Sequence, residues 1–186
     1  MGLYDTASAT TTNLTNSITA VSIDSKDTDI SLYIPNWTKW HGYYREIPEL
    51  AAVIDKVCIW AAGKGIETKE TSRKAQLDKI RGFGKDTIRD IVINLLRTCT
   101  ICGDSFAEII KDDRGALRNL KPLSPGTIEI QANEKGIITQ YNQVSMKSNG
   151  VEKQKIILHT WQPENIFHLS WNRIADETHG ISTIEK

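Results

Sequence analysis

The 186-residue chain balances 23 Lys and Arg against 23 Asp and Glu, so no overall field draws it onto nucleic acid or an acidic membrane. Its apolar content of 39% is that of a globular domain, one domain is the expectation at this length, and no apolar run approaches the roughly 20 residues of a membrane span. Three cysteines behind no signal-peptide pattern argue against a disulfide framework and for a reducing compartment.

Residues 1–29 are rich in Thr, Ser, Asn and Asp, with isolated Leu14, Ile18, Val21 and Ile23. That is too little apolar surface to offset ordering, so a flexible arm is expected, followed by a single domain over 30–186. The alternative is that Ile18, Val21 and Ile23 dock on a neighbouring subunit. Residues 30–45 then gather two of the five Trp and three of the five Tyr in a stretch that reads as loop-like. Trp37, Trp40, Tyr43 and Tyr44 are candidate subunit-contact residues, because Trp, Tyr and Arg dominate interface hot spots. Packing over the chain's own sheet is the simpler account. His41, alone among aromatics, reads as a hydrogen-bonded filler rather than a ligand.

Pro48 and Glu49 open a helix with Leu50, Val53, Ile54, Val57, Cys58 and Ala61 on one face, and Gly63 and Gly65 end it. A shorter, charge-rich helix is expected over 72–80 on Ala75, Leu77 and Ile80. Gly82, Gly84 and Lys85 before a helix invite comparison with a phosphate loop. The comparison fails, because Lys79 stands where the first glycine belongs and Asp86, which would repel phosphate, follows the lysine. Asp86 is instead expected to cap a helix running to Thr100, with Ile88, Ile91, Val92, Leu95, Leu96 and Cys99 inward. Cys99 and Cys102 have redox spacing but sit at a helix C-terminus, where the dipole disfavours a thiolate. A zinc site would need a second close pair, which Cys58, His159 and His168 do not form. The pair reads as small buried apolar residues, and no metal or cofactor site is expected.

From residue 103 the period changes to two. Phe106, Glu108 and Ile110 alternate along a strand, and Asp112, Asp113, Arg114 and Gly115 turn it into a second strand over 116–123. Pro122 and Pro125 place the end of that strand at an edge or a sheet exit. Strands follow at 127–131, 137–144, 152–161 and 166–171, separated by turn clusters that include Asn149-Gly150. Helices first and strands afterwards predict an α+β fold, with two or three helices packed on a mostly antiparallel meander. Asp176, Glu177 and His179 could be written as an acid/base set, but three polar neighbours in a loop give no reason for an unusual pKa, and a solvated loop is expected. Ser182 and Glu185 have capping-box spacing, as if a helix began there and continued past Lys186.

Two blocks have a further likeness. Residues 103–130, GDSFAEIIKDDRGALRNLKPLSPGTIEI, and residues 163–185, PENIFHLSWNRIADETHGISTIE, in that order, resemble the wing region of tailed-phage portal proteins. The resemblance extends over residues 37–185, and the Pro-Glu-Leu-Ala-Ala opening of the first expected helix belongs to it. It implies a wing fragment of a ring-shaped dodecamer at one capsid vertex, the head-tail connector through which double-stranded DNA is packaged and ejected without sequence-specific binding. Implied partners are further copies of the chain, the large terminase subunit, the major capsid or scaffold protein and head-tail adaptors. The implied place is the virion, with assembly in the host cytoplasm and no membrane. It implies no catalysis. Gly103, Phe106 and Gly115 would then serve the hairpin, and Gly180, Ser182 and Glu185 the turn into the stem helix. Two alternatives stand beside it. One is a small metal-dependent hydrolase or nuclease of a mobile element built on Asp112, Asp113, Asp176, Glu177 and a His. The other is a free-standing module presenting the aromatic segment to a partner.

Overall fold

The computed structural model describes residues 30–34, 36–133, 135–148 and 153–185. The arm expected at residues 1–29 lies outside the described residues. The elements run β1 (Ile30–Tyr33), α1 (Trp37–Glu46), α2 (Pro48–Ala62), α3 (Thr71–Leu77), α4 (Ile88–Cys102), β2 (Asp104–Lys111), β3 (Leu117–Leu123), β4 (Ile128–Ala132), β5 (Ile138–Ser148), β6 (Lys153–Trp161) and β7 (Ile166–Ser170). The fold is the α+β class expected, with every strand pair antiparallel.

Helix α1 corrects the loop-like reading of the aromatic segment. Trp37, Trp40, His41 and Tyr44 lie at i, i+3, i+4 and i+7, and the His41 ring stacks on Trp37 at 4.9 Å and on Tyr44 at 6.5 Å. Aromatic residues and Gly42 have poor helix propensity, which hides the period from a propensity-weighted reading. The helix forms because its aromatic face packs on the core, where Trp40 is buried and Trp37 and Tyr44 lie against it.

Helix α2 begins with Pro48 at its first turn, as the sequence implies. Its buried face is displaced by about a quarter turn from the expected one: Ile54, Cys58 and Ala62 are inside, whereas Val53 and Val57 are exposed. Asp55 locks this rotation, because its Oδ1 accepts from Arg97 Nε of α4 at 2.6 Å and from the Tyr44 hydroxyl of α1 at 2.9 Å. One carboxylate thereby joins three helices.

The N-cap of α4 is Thr87, not Asp86. The Asp90 N–H donates to Thr87 Oγ1 at 3.3 Å and the Thr87 N–H donates to Asp90 Oδ2 at 3.0 Å, a reciprocal capping box. Asp86 is occupied elsewhere, its Oδ2 accepting from the Phe83 N–H at 3.3 Å. The box at Ser182 likewise takes another form. The Ser182 hydroxyl is buried, donates to the Ile101 carbonyl at 2.5 Å and accepts from the Ile184 N–H at 3.0 Å, so it fastens the chain to α4. Residues 181–185 are bends and coil.

The strands divide into two sheets rather than one meander. The larger has the order β1-β4-β5-β6 and the smaller β3-β2-β7. Pro122 and Pro125 cause the division: β3 is an edge strand, and the 3-10 turn Pro125–Thr127 carries the chain out of one sheet into the other. The core forms where the helices meet both sheets, around Ile54, Cys58, Ile101, Phe106, Ile130, Tyr141 and Trp161. A second cluster of Ile80, Ile91, Leu95, Ala107 and Leu120 fills the space between α4 and the other end of the smaller sheet. Ile54→Ala should therefore cost about 2–5 kcal/mol in urea denaturation. Its neighbour Val53→Ala should cost less than about 1 kcal/mol.

Candidate functional site

Among the described residues, several polar side chains converge inside the fold at Asp104. Helix α4 ends at Gly103, whose φ of 92° is the left-handed conformation that ends helices, and Asp104 is the next residue, the first of β2. A tight reversal from helix to strand thus leaves a carboxylate at the base of the smaller sheet, wholly buried.

Every oxygen of that carboxylate is used. Oδ1 accepts from His168 Nε2 at 2.9 Å, from the Ser170 hydroxyl at 2.7 Å and from the Gly180 N–H at 3.1 Å. Oδ2 accepts from His179 Nδ1 at 2.8 Å and from the same Gly180 N–H at 3.0 Å. His168 and Ser170 come from β7, which pairs with β2 so that Asp104 faces Ser170 and Phe106 faces His168. The His168 ring stacks on Phe106 at 4.6 Å, and its Nδ1 bonds the Tyr141 hydroxyl of β5 at 3.1 Å. Arg173 closes the far side, donating to Ser170 Oγ at 2.5 Å and to the Thr178 carbonyl at 3.1 Å.

Backbone contacts tighten the same junction. The Trp171 N–H donates to the Gly103 carbonyl at 2.7 Å, and the Ile181 N–H donates to the Trp171 carbonyl at 2.8 Å. A Cβ on Gly103 would run into the Gly180 carbonyl oxygen, and one on Gly180 into the Gly103 carbonyl oxygen. Two chain segments cross here at a distance only glycine permits.

Burial pushes the Asp104 carboxyl up, but hydrogen bonds from His168 and His179, with the positive charge those rings carry when protonated, outweigh it. They hold Asp104 well below the usual carboxylate range. The neighbouring thiols go the other way: burial, with the Asp104 charge nearby, pushes Cys99 up to about 12, and burial raises Cys102 as well. Cys102 Sγ donates to the Asp104 carbonyl at 2.6 Å. Both cysteines are buried and protonated, unsuited to redox or metal chemistry. Tyr141 is likewise raised to about 12 by burial, so its hydroxyl remains a donor.

The junction is built to hold. His168 bonds Asp104 through Nε2, the nitrogen that also touches Ser170 Oγ at 3.0 Å, so no free imidazole nitrogen stands ready to take the hydroxyl proton as a nucleophilic triad requires. Among the described residues no group of three or more His, Cys, Asp and Glu could hold a metal ion.

Of the residues the sequence singles out, Gly103, Phe106, Gly180 and Ser182 lie at this junction, while Gly115 (φ 78°) sits in the turn at the far end of β2 and Glu185 is exposed. Asp112 occupies the same turn, its Oδ1 accepting from the Arg114 and Ala116 N–H groups. The expectation of a solvated loop at Asp176, Glu177 and His179 needs correction for His179, which reaches into the junction, while Asp176 and Glu177 are exposed. The aromatic candidates also divide, with Trp40 buried, Trp37 and Tyr44 packed on the core, and Tyr43 exposed beneath Lys39 Nζ at 5.8 Å from its ring.

Sequence reasoning does not find Asp104, nor His168 and Ser170 as its partners, nor Arg173 behind Ser170. Its signal was an acidic residue between a helix-ending glycine and a buried strand, and a lone histidine at a strand position flanked by apolar residues.

No protein-family model matches the chain, and no curated protein matches it. Solved structures with a similar fold include chains of gene transfer agent particles. A chain of the virion of the native particle superposes with a TM-score of 0.61 at 13% identity, covering 81% of this chain and 39% of that one. A chain from the neck of the empty particle, computed with C6 symmetry, gives 0.59 at 12% identity over 78% of this chain and 39% of that one. A chain from the neck of the native particle, computed with C12 symmetry, gives 0.56 at 14% identity over 79% and 39%. The similarity is one of fold, and this chain spans about two-fifths of the length of those it matches.

Because the folded-state pKa of Asp104 is depressed, its contribution to stability is complete above the unfolded carboxyl value of about 4 and is lost as pH falls through and below it. The urea midpoint should fall between about pH 5 and about pH 3. Asp104→Asn, which turns an amide donor toward at least two others, should cost roughly 3 kcal/mol at neutral pH and flatten that acid-side slope.

Proposed function

We propose that this chain is the wing portion of a portal subunit, a structural component of the neck of a phage-like particle. In that role it forms part of the ring through which double-stranded DNA enters and leaves. One observation carries the reading. The two sequence blocks that resemble portal wings, residues 103–130 and 163–185, are the two segments that Asp104 joins, on a backbone like that of gene transfer agent neck chains. The fold likeness to neck chains supports the reading that the sequence likeness suggests.

The junction suits that role. A subunit that passes load between a capsid shell and a packaging motor needs segments that do not slide, and a buried, fully bonded carboxylate holds one geometry. The reading includes a dodecameric ring, docking to the large terminase subunit, the capsid or scaffold protein and head-tail adaptors, and DNA that passes without being read. Stem helices and clip would be contributed by residues other than these. The chain makes and breaks no bonds in this role.

The nuclease alternative loses its site. Asp112 and Asp113 follow the C-terminal end of β2, whereas the loop with Asp176 and Glu177 returns through His179 to the start of that strand. An eight-residue strand separates the two groups by roughly 25 Å, too far for one metal-assisted site.

Immunogold labelling of purified particles with an antibody to this chain should mark a single vertex, and disrupting the gene should leave capsids without DNA. Label spread over the whole shell, or normal packaging without the chain, would overturn the proposal. Divalent-metal-dependent DNA cleavage that disappears in Asp113→Ala or Asp176→Ala would favour the nuclease.

A further inference from the structure

The larger sheet carries polar side chains on the face turned away from the helices, and the central ones are buried. Its inner face presents Ile130, Tyr141 and Trp161 to the core. The alternate positions face the other way: Glu129 on β4, Asn142 and Val144 on β5, and Lys155 and Thr160 on β6. Of these, Glu129, Asn142 and Val144 are 3%, 0% and 4% exposed.

Side chains of the sheet itself supply part of that cover. Lys155 Nζ donates to Glu129 Oε2 at 2.6 Å, although β4 and β6 flank β5 on its two sides and stand about 10 Å apart. The bond and the aliphatic stems that reach it therefore lie across β5, over the stretch from Asn142 to Met146. Beside them the Thr160 hydroxyl donates to Asn142 Oδ1 at 2.8 Å.

Two atoms of this network stay open. Glu129 Oε1 and Asn142 Nδ2 are buried, and neither has a hydrogen-bond partner among the described residues. The two residues face each other directly in the β4–β5 register, so their Cβ atoms lie about 5 Å apart. One open atom is a charged acceptor and the other a donor, and a buried polar group without a partner forfeits its hydration for nothing. A shared partner has to donate to the carboxylate and accept from the amide. Glu129 repels an anion, the amide donor and the Lys155 ammonium repel a metal cation, and burial of both atoms excludes a large molecule. Water has both functions and the right size.

We propose that one water molecule is bound between the Glu129 carboxylate and the Asn142 amide as a fixed part of the sheet. It completes a bonded chain that runs from Lys155 through Glu129, the water and Asn142 to Thr160, tying three strands together outside the backbone ladder. Turning the Asn142 amide over leaves the site intact, because the water then donates to both oxygens while the Thr160 hydroxyl accepts from Nδ2. The site is independent of the neck reading and belongs to the folded chain alone.

A crystal structure of the full chain, at a resolution that orders single waters, should show one about 3 Å from both Glu129 Oε1 and the Asn142 amide. Urea denaturation gives a second reading. Glu129→Leu and Asn142→Leu should each lower the midpoint by on the order of 1 M. The double variant should lose less than the two losses combined, because the water leaves with its first partner. A direct bond between Glu129 and Asn142, a dry space between them, or another side chain in that space would overturn the proposal, and so would losses that simply add. The crystal reading needs no variant, so it decides the matter even where a leucine at either position prevents folding.

Discussion

A carboxylate removed from water must find its hydrogen bonds within the protein or take up a proton, and Asp104 finds them all. Its donors come from β7, from the loop after β7 and from the backbone of Gly180, while its own position is set by the helix end at Gly103. That single requirement fixes the angle at which α4 enters the smaller sheet, the register of β7 on β2 and the path of residues 171–183. Cys99, Cys102 and Phe106 then fill the apolar space around it, which keeps water out and the bonds strong.

Asp55 plays a smaller part of the same kind among the helices. It is half-exposed, so its bonds to Arg97 and Tyr44 contribute orientation more than stability. That orientation accords with which side of α2 lies on the core and which is left outside. Burial of Ile54, Cys58 and Ala62 sets the rotation, and the bonds of Asp55 agree with it.

The class of fold was legible in the sequence because turn chemistry and hydrophobic period are local. Pro48, Gly103, the Asp112 to Gly115 turn and the two prolines of residues 122 and 125 each mark a boundary the structure keeps. Helix α1 was hidden because its periodic residues are aromatics, whose helical state is decided by packing that the local sequence does not encode. The place of β1 at the edge of the larger sheet depends on its pairing with β4, nearly a hundred residues later, for which no short-range signal exists. The Asp104 junction was illegible for the same reason. Its members are single polar residues, ordinary in their neighbourhoods, and only the folded chain brings them together.

That long spacing bears on how the chain is made. Asp104 lies 64, 66 and 75 residues ahead of His168, Ser170 and His179. During synthesis the helices and the β2–β3 hairpin leave the ribosome before any of those donors exists, so the carboxylate stays hydrated and the end of α4 is free to reorient. Only when the last described strand arrives does the carboxylate exchange water for protein. Closure of the junction is thus a late step, and an interrupted chain lacks the contacts that would let its first half settle into place.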